Sequence, residues 1–350
     1  MYKVDGRINN SYTVSIDLGS MANRKLKKQN IKTVQRNYWK WILLIISINI
    51  VVAIIFIFLR TPKPVFDGNR AYKDLVKQVE FGPRISGTAG HEKAKEYLVA
   101  ELEKCADIVS EQTFNFKDEH DSATIYKGTN IVASFNVSED ISKRILLCAH
   151  WDSRPFADND PDSTKHKLPV PAANDGASGV AVLLEMARLF VESKPKVGVD
   201  IVFFDLEDIG DEFDSSKLHT PRNPYGIGSE MFVKNNPNYY PEYGILLDMV
   251  GDKELRIPKE AYSVSRAGNI VEKVWKAASV VGSKAFVDEQ GGAVMDDHIA
   301  FLKKSIPVID LIHLPFPKTW HTINDKPEYC SSSSLQQVGN VLVEVIYNEK

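Results

Sequence analysis

The sequence predicts an α/β layer fold from about residue 61 onward, with a central sheet covered by helices on both faces. Three observations predict it. Short apolar runs alternate with longer amphipathic stretches, the pattern of strands and helices stacked as layers. The short runs are rich in Val, Ile, Leu and Phe at successive positions, which suits a sheet buried on both sides. The composition is that of an ordinary globular protein: 25% charged and 43% hydrophobic over 350 residues, enough for one large domain or two average ones. No internal repeat or low-complexity stretch breaks this part of the chain.

The first 60 residues read differently. They hold ten Lys and Arg against Asp5 and Asp17, whereas the other 290 carry 33 basic and 44 acidic groups. A domain this acidic excludes nucleic-acid binding as its task, because that depends on neutralising phosphates with Lys and Arg. It favours cationic partners or metal ions. Residues 1–20 are polar, unpatterned and expected to be disordered, and 1–38 as a whole is expected to be a basic cytoplasmic tail. Residues 41–59 read WILLIISINIVVAIIFIFL, uncharged between Lys40 and Arg60. Roughly twenty apolar residues cross a bilayer, so 39–60 is predicted as a membrane-spanning helix. Arg24, Lys25, Lys27, Lys28, Lys32, Arg36 and Lys40 precede it with no acid among them, which places the tail inside and residues 61–350 outside the cell membrane. A cleaved signal peptide, the alternative, would be shorter and end in small residues that are absent here.

Within 61–350 the predicted strands are 130–135, 144–149, 200–204, 244–249 and 306–312. The predicted helices are 90–105, 178–193, 267–281 and 334–347. Two polar segments, 153–171 and 210–224, are long and irregular, and long loops in compact domains are usually functional or disordered. Cys105, Cys148 and Cys330 are too few and too scattered for a disulfide framework or a thiolate metal site. Cys148 lies inside an apolar run and reads as a buried thiol.

The strand ends carry the chemistry. One is followed by His150-Trp151-Asp152, another by Asp205-Leu206-Glu207-Asp208, and a third holds Asp248. Ala173-Asn174-Asp175-Gly176 leads into a helix, and Asp296-Asp297-His298 and Trp320-His321-Thr322 come later. Ligands of open α/β sheets bind beyond the carboxyl ends of the strands, so these clusters point to one site. Nitrogen and oxygen donors without thiolate suit zinc. Taken singly each has an ordinary explanation: Asp175 as a helix cap, Gly176 and Gly179 as turn formers, His321 as a surface histidine. Glu207-Asp208 directly after an apolar strand is harder to explain away, because burying two carboxylates without a cation is costly.

In this order the clusters resemble the M28 metallopeptidase superfamily over nearly all of residues 75–350, opening at Gly82-Pro83-Arg84 and Gly90-His91-Glu92. Within it, His150-Trp151-Asp152-Ser153-Arg154-Pro155, Asp296-Asp297-His298, and Pro315-Phe316-Pro317 with Trp320-His321-Thr322 are similar to glutaminyl-peptide cyclotransferases of the bacterial type. The resemblance implies a mixed central sheet and one Zn2+ held by Asp175, Asp208 and His321. It implies Glu207 as general acid/base with Asp248 and Asp296 hydrogen-bonded around it. Trp320, Phe316 and Met295 are implied as the substrate pocket, and peptide or protein amino termini beginning with glutamine as substrate. Met295 stands where a polar Gln is the family's expectation. The closest rival is a two-zinc aminopeptidase of the same superfamily, in which His150 and Asp248 would ligate the second ion. A binding ectodomain without catalysis is a more distant one, and the presence of a competent side chain at every ligand position argues against it.

Overall fold

The computed structural model describes residues 23–24, 26–28, 30, 38–51, 63–121, 123–211 and 223–350. The chain divides into two compact units, Met1–Pro62 and Lys63–Lys350. In the first, residues 38–51 form a helix on which Tyr38, Trp39 and Trp41 are exposed. The predicted span continues past residue 51 into positions outside the described residues, as does the expected disordered tail 1–20. Among the described residues no helix is long and apolar enough to cross a membrane.

In the second unit the strands are β1 (Ile108–Lys117), β2 (Ile125–Phe135), β3 (Arg144–His150), β4 (Gly198–Phe204), β5 (Tyr243–Asp248), β6 (Ile257–Lys259), β7 (Phe286–Gln290) and β8 (Val308–Ile312). The helices, numbered within this unit, are α1 (Gly68–Glu80), α2 (Ala89–Glu103), α3 (Ala177–Glu192), α4 (Ile227–Asn235), α5 (Ala261–Val281), α6 (His298–Lys303) and α7 (Ser332–Ile346). Six strands form one sheet in the order β1-β2-β4-β3-β5-β8, and β6 and β7 form a separate pair. β1 and β2 run antiparallel, as do β2 and β4, while β4, β3, β5 and β8 are mutually parallel. The sheet is therefore mixed, in agreement with the resemblance.

Alternation along the strands sends side chains to two buried faces. Ile145, Leu147 and Ala149 of β3, with Ile201, Ile245 and Leu311, join one core with Leu98, Leu183, Val274 and Leu342 of α2, α3, α5 and α7. Leu146 and Cys148, with Val202 and Leu246, join the other with Phe232 of α4 and Phe301 of α6. Helices thus cover both faces. Cys148 is fully buried, as its apolar run predicts.

Four predicted helices and five predicted strands are present with shifted ends, and the shifts have causes. β8 starts at Val308 rather than 306 because Pro307 has no N–H to pair; its carbonyl instead accepts from the Gly244 amide at 3.0 Å. α5 begins at Ala261, where Glu260 caps the amides of Tyr262 and Ser263, and Ala267, the predicted start, is a kink with φ −140° and ψ 34°. The sequence does not predict β1, β6, β7, α1, α4 or α6. β1 is an edge strand with a mostly exposed, polar sequence and carries no clean apolar signal, whereas α1 does carry one, with Ala71 and Leu75 in the core and Tyr72, Val76 and Val79 packed beside them at helical spacing. The 153–171 segment is a loop with one short helical turn at Ser163–Lys165. Most of the 210–224 segment lies outside the described residues.

Candidate active site

Three of the four parallel strands deliver the site. β3 ends at His150, β5 at Asp248, and β4 at Phe204, just before Asp205-Leu206-Glu207-Asp208. Register sets His150 beside Phe204 and Asp248 beside Ile312, so these ends are level. Asp175 precedes α3, whose N-cap is Gly176 at φ +78° with no side-chain cap bond. Asp175 is thus free of the capping role that the sequence alone would allow it. A Cβ at Gly176 would lie 2.7 Å from the His150 ring, so the turn needs glycine twice over.

Leu206, Met249 and His321 are non-glycine residues at positive φ, at +57°, +50° and +54°. Each adjoins or is a site residue. Backbone strain of this kind persists only where the surroundings over-determine it, and it clusters at functional sites. Asp152 supplies part of that constraint: its two oxygens accept the amides of Glu207 and Asp208 at 3.2 and 3.1 Å. Asp325 does the same for Asn174 and Asp175, at 2.8 and 3.0 Å.

The side chains converge in two donor clusters that share Asp175. In one, Asp175, Asp208 and His321 place their ligand atoms within 4.8 Å of one another; in the other, His150, Asp175 and Asp248 do so. His321 Nε2 stands 3.2 Å from Asp208 Oδ1 and 3.6 Å from Asp175 Oδ2. His150 Nε2 stands 3.0 Å from Asp175 Oδ1 and 3.2 Å from Asp248 Oδ1, and its Nδ1 is 3.3 Å from Asp152 Oδ1. All are buried, and among the described residues Asp208 Oδ2 has no hydrogen-bond partner.

The electrostatics follow from this crowding. Burial, together with the Asp208 charge, raises the Asp175 carboxyl to about 6. Burial drives Glu207 well above the usual carboxylate range; His150 opposes this, while Asp296, Asp208 and Asp297 add to it. Asp296 is likewise pushed well up, by burial and then by Asp248 and Asp297. Burial disfavours the His150 imidazolium, but Asp152, Asp175 and Asp248 outweigh it and raise that histidine well above its ordinary value. So many buried acids ask for a cation.

Glu207, Asp175, Asp208, Asp248, Asp296, Met295, Phe316, Trp320 and His321 all line one cavity of about 880 Å³. Every predicted site residue is therefore brought together. Phe316 and Trp320 pack with ring centroids 4.3 Å apart, and Trp320 stacks on His321. Met295 is 57% exposed at the rim. One expectation fails. Among the described residues neither Asp248 nor Asp296 hydrogen-bonds to the Glu207 carboxylate. Asp248 turns to the His150 ring, and Asp296 accepts from the Asp297 amide and adds its charge to the raising of Glu207.

The model of peptidase family M28 matches residues 130–346. The chain belongs to peptidase family M28. Among solved structures, a Bacteroides thetaiotaomicron glutaminyl cyclase bound to N-acetylhistamine is 40% identical, with a TM-score of 0.76 over 83% of this chain and 100% of its own. A Tannerella forsythia glutaminyl cyclase is also 40% identical, with a TM-score of 0.74 over 82% and 100%. A glutaminyl-peptide cyclotransferase of Bos taurus is 25% identical over 291 residues, covering 74% of this chain and 76% of that one. The likeness to bacterial cyclases carried by the motifs is borne out, and membership of M28 implies a zinc-binding site.

In this M28 chain the residues present fit such an ion. Ligand atoms at about 2.0–2.1 Å from a tetrahedral zinc stand roughly 3.4 Å from one another, and the 3.2 and 3.6 Å separations around His321 match that spacing. The sequence alone assigns no role to Asp152, Arg154, Asp158 or Asp325. Asp152 sits in a quoted motif two residues after the strand end, a usable signal. Asp325 reaches Asp175 across 150 positions, and no local pattern announces it.

Proposed function

We propose that this chain converts amino-terminal glutamine of peptides and proteins to pyroglutamate with release of ammonia, at one zinc ion held by Asp175, Asp208 and His321. The observation that carries the reading is the convergence of those three side chains, their ligand atoms within 4.8 Å of one another, with Glu207 beside them in the same cavity. It is supported by the 40% identity to bacterial glutaminyl cyclases over their whole length. Zinc, when bound, supplies Lewis-acid polarisation of the glutamine side-chain carbonyl. Glu207 takes a proton from the α-amino group as its nitrogen bonds to the side-chain carbonyl carbon. It returns that proton as the carbon–nitrogen bond of the amide breaks, so ammonia leaves and the carboxylate is regenerated. Trp320 and Phe316 wall the pocket against water.

The His150–Asp175–Asp248 cluster favours a second reading. Asp152 on Nδ1 orients the ring as a carboxylate orients a metal-bound histidine, and a second ion there would make a two-zinc aminopeptidase centre. One experiment separates the two. The full-length chain, purified with zinc, is incubated with a peptide beginning with Gln and another beginning with Leu, and mass and metal content are measured. Ammonia loss from the Gln peptide with one zinc per chain is the expected result. Release of a free amino-terminal residue with two zinc ions would overturn it.

The uncharged run 41–59 behind seven basic residues further supports a single-pass anchor with residues 61–350 on the outer face of the cell membrane. Alkaline carbonate should leave the chain in the membrane pellet. Its release into the supernatant would remove the anchor.

A further inference from the structure

One group of buried residues has no task in that reading: the loop after β3. Arg154 is 3% exposed and lies behind Asp208. Its Nη1 is 3.3 Å from Asp208 Oδ1 and donates to the carbonyls of Asp208 and Gly210 at 3.2 and 2.9 Å. Its other edge forms a two-pronged pair with Asp158, at 2.7 and 2.6 Å. Asp158 in turn stands 3.7 Å from His321 Nδ1. The next two residues hold the same segment: the Asn159 amide donates to the His321 carbonyl at 3.1 Å, and Asp160 accepts from the Ile323 amide at 3.2 Å. A single short loop therefore grips both Asp208 and His321, which are remote from each other in sequence.

Two features set this apart from ordinary packing. Arg154 spends its fork on Asp158 and touches Asp208 at Oδ1, the same oxygen that stands 3.2 Å from His321 Nε2, so the loop fixes the donor atom itself; among the described residues Oδ2 is buried without a hydrogen-bond partner. His321 sits at φ +54°, a conformation its surroundings must enforce; the Asn159 amide holds its carbonyl and Asp160 holds the Ile323 amide two residues on. Neither Arg154 nor Asp158 lines the cavity.

We propose that Arg154 and Asp158 are positioning residues of the metal centre, fixing Asp208 and His321 against one another so that zinc is held tightly, with no contact to substrate. The proposal rests on the ligand assignment made above. Outer-shell partners of this kind typically contribute about 10- to 100-fold to metal affinity.

The test is zinc affinity of the full-length chain, measured by competition with a chromophoric chelator, beside KM for a Gln peptide at saturating zinc. Arg154→Met should raise the zinc Kd by about 10- to 100-fold while KM stays within about twofold. Arg154→Lys should recover only part, because an ammonium lacks the planar fork that serves Asp158 and Asp208 together. Asp158→Asn should weaken zinc by a smaller factor. Wild-type zinc affinity in both Arg154→Met and Asp158→Asn would overturn the proposal, as would a lowered melting temperature of the zinc-free chain with Kd unchanged. Asp208→Ala and His321→Ala go through the same assay. If these lose zinc and Arg154→Met does not, the positioning role alone fails; if they too bind normally, the ligand assignment fails. Should Arg154→Met not fold, Asp158→Asn decides, since that side chain is 36% exposed and tolerates replacement.

Discussion

Replacing Glu207 with Gln is expected to lower kcat/KM for a glutamine-initiated peptide by about 10²- to 10⁴-fold, the range a positioned general acid/base contributes. Zinc content should stay at the wild-type level, because Glu207 stands beside the Asp175–Asp208–His321 cluster and is not a member of it. The amide keeps the shape and loses the proton shuttle. Both backbone anchors of this turn, the Glu207 and Asp208 amides on Asp152, are untouched by the change, so the fold has no reason to respond. The wild-type profile should show an acid limb placed above the ordinary carboxylate range, since burial and the neighbouring acids raise this carboxyl. As pH falls through that value Glu207 takes up a proton and can no longer accept one, so activity declines. A Glu207→Gln chain turning over peptide at close to the wild-type rate would remove Glu207 from the mechanism.

Removal of the metal is the second large effect. Dialysis against a chelator should bring cyclisation down to background, and added zinc should restore it. His321→Ala should give the same loss with no restoration. Stability should move with activity. An ion that binds only the folded chain contributes about 4 kcal/mol at a concentration 1,000 times its Kd. In its absence Asp175 and Asp208 face one another with only Arg154 and the neighbouring histidines as countercharge, and the repulsion already visible in the raised Asp175 carboxyl remains. Calorimetry with and without chelator would therefore report a lower melting temperature for the zinc-free chain. Full activity and unchanged melting in a chain shown by elemental analysis to hold no metal would refute a metal centre here.

Much of the site is legible in the chain because function is attached to regular structure. A run such as Ile145-Leu146-Leu147-Cys148 is a strand by hydrophobic pattern, and residues just past the carboxyl end of a parallel strand face the ligand side of the sheet. His150, Glu207, Asp208 and Asp248 are legible on that ground. Asp175, Asp296 and His321 lie on loops, and only family resemblance assigns them, since a loop has no period to place it. The helix kink at Ala267, the polar edge strand β1 and the short α4 and α6 leave too weak a pattern, because their stability comes from neighbours rather than from their own periodicity.

The sequence by itself determined the layer architecture, the acidic character of the large unit, the apolar run 41–59 and the types of side chain available for chemistry. These depend on composition and local spacing, which every residue carries with it. Only the tertiary structure decided who faces whom. It set His150 between Asp152, Asp175 and Asp248, took Asp248 and Asp296 away from direct bonding to Glu207, and brought Asp325 beneath Asp175. It also folded the Arg154–Asp158 loop around Asp208 and His321, which are far apart in sequence. Distances between side chains on different elements depend on how sheet and helices pack, and a single chain read in order contains no term for that packing.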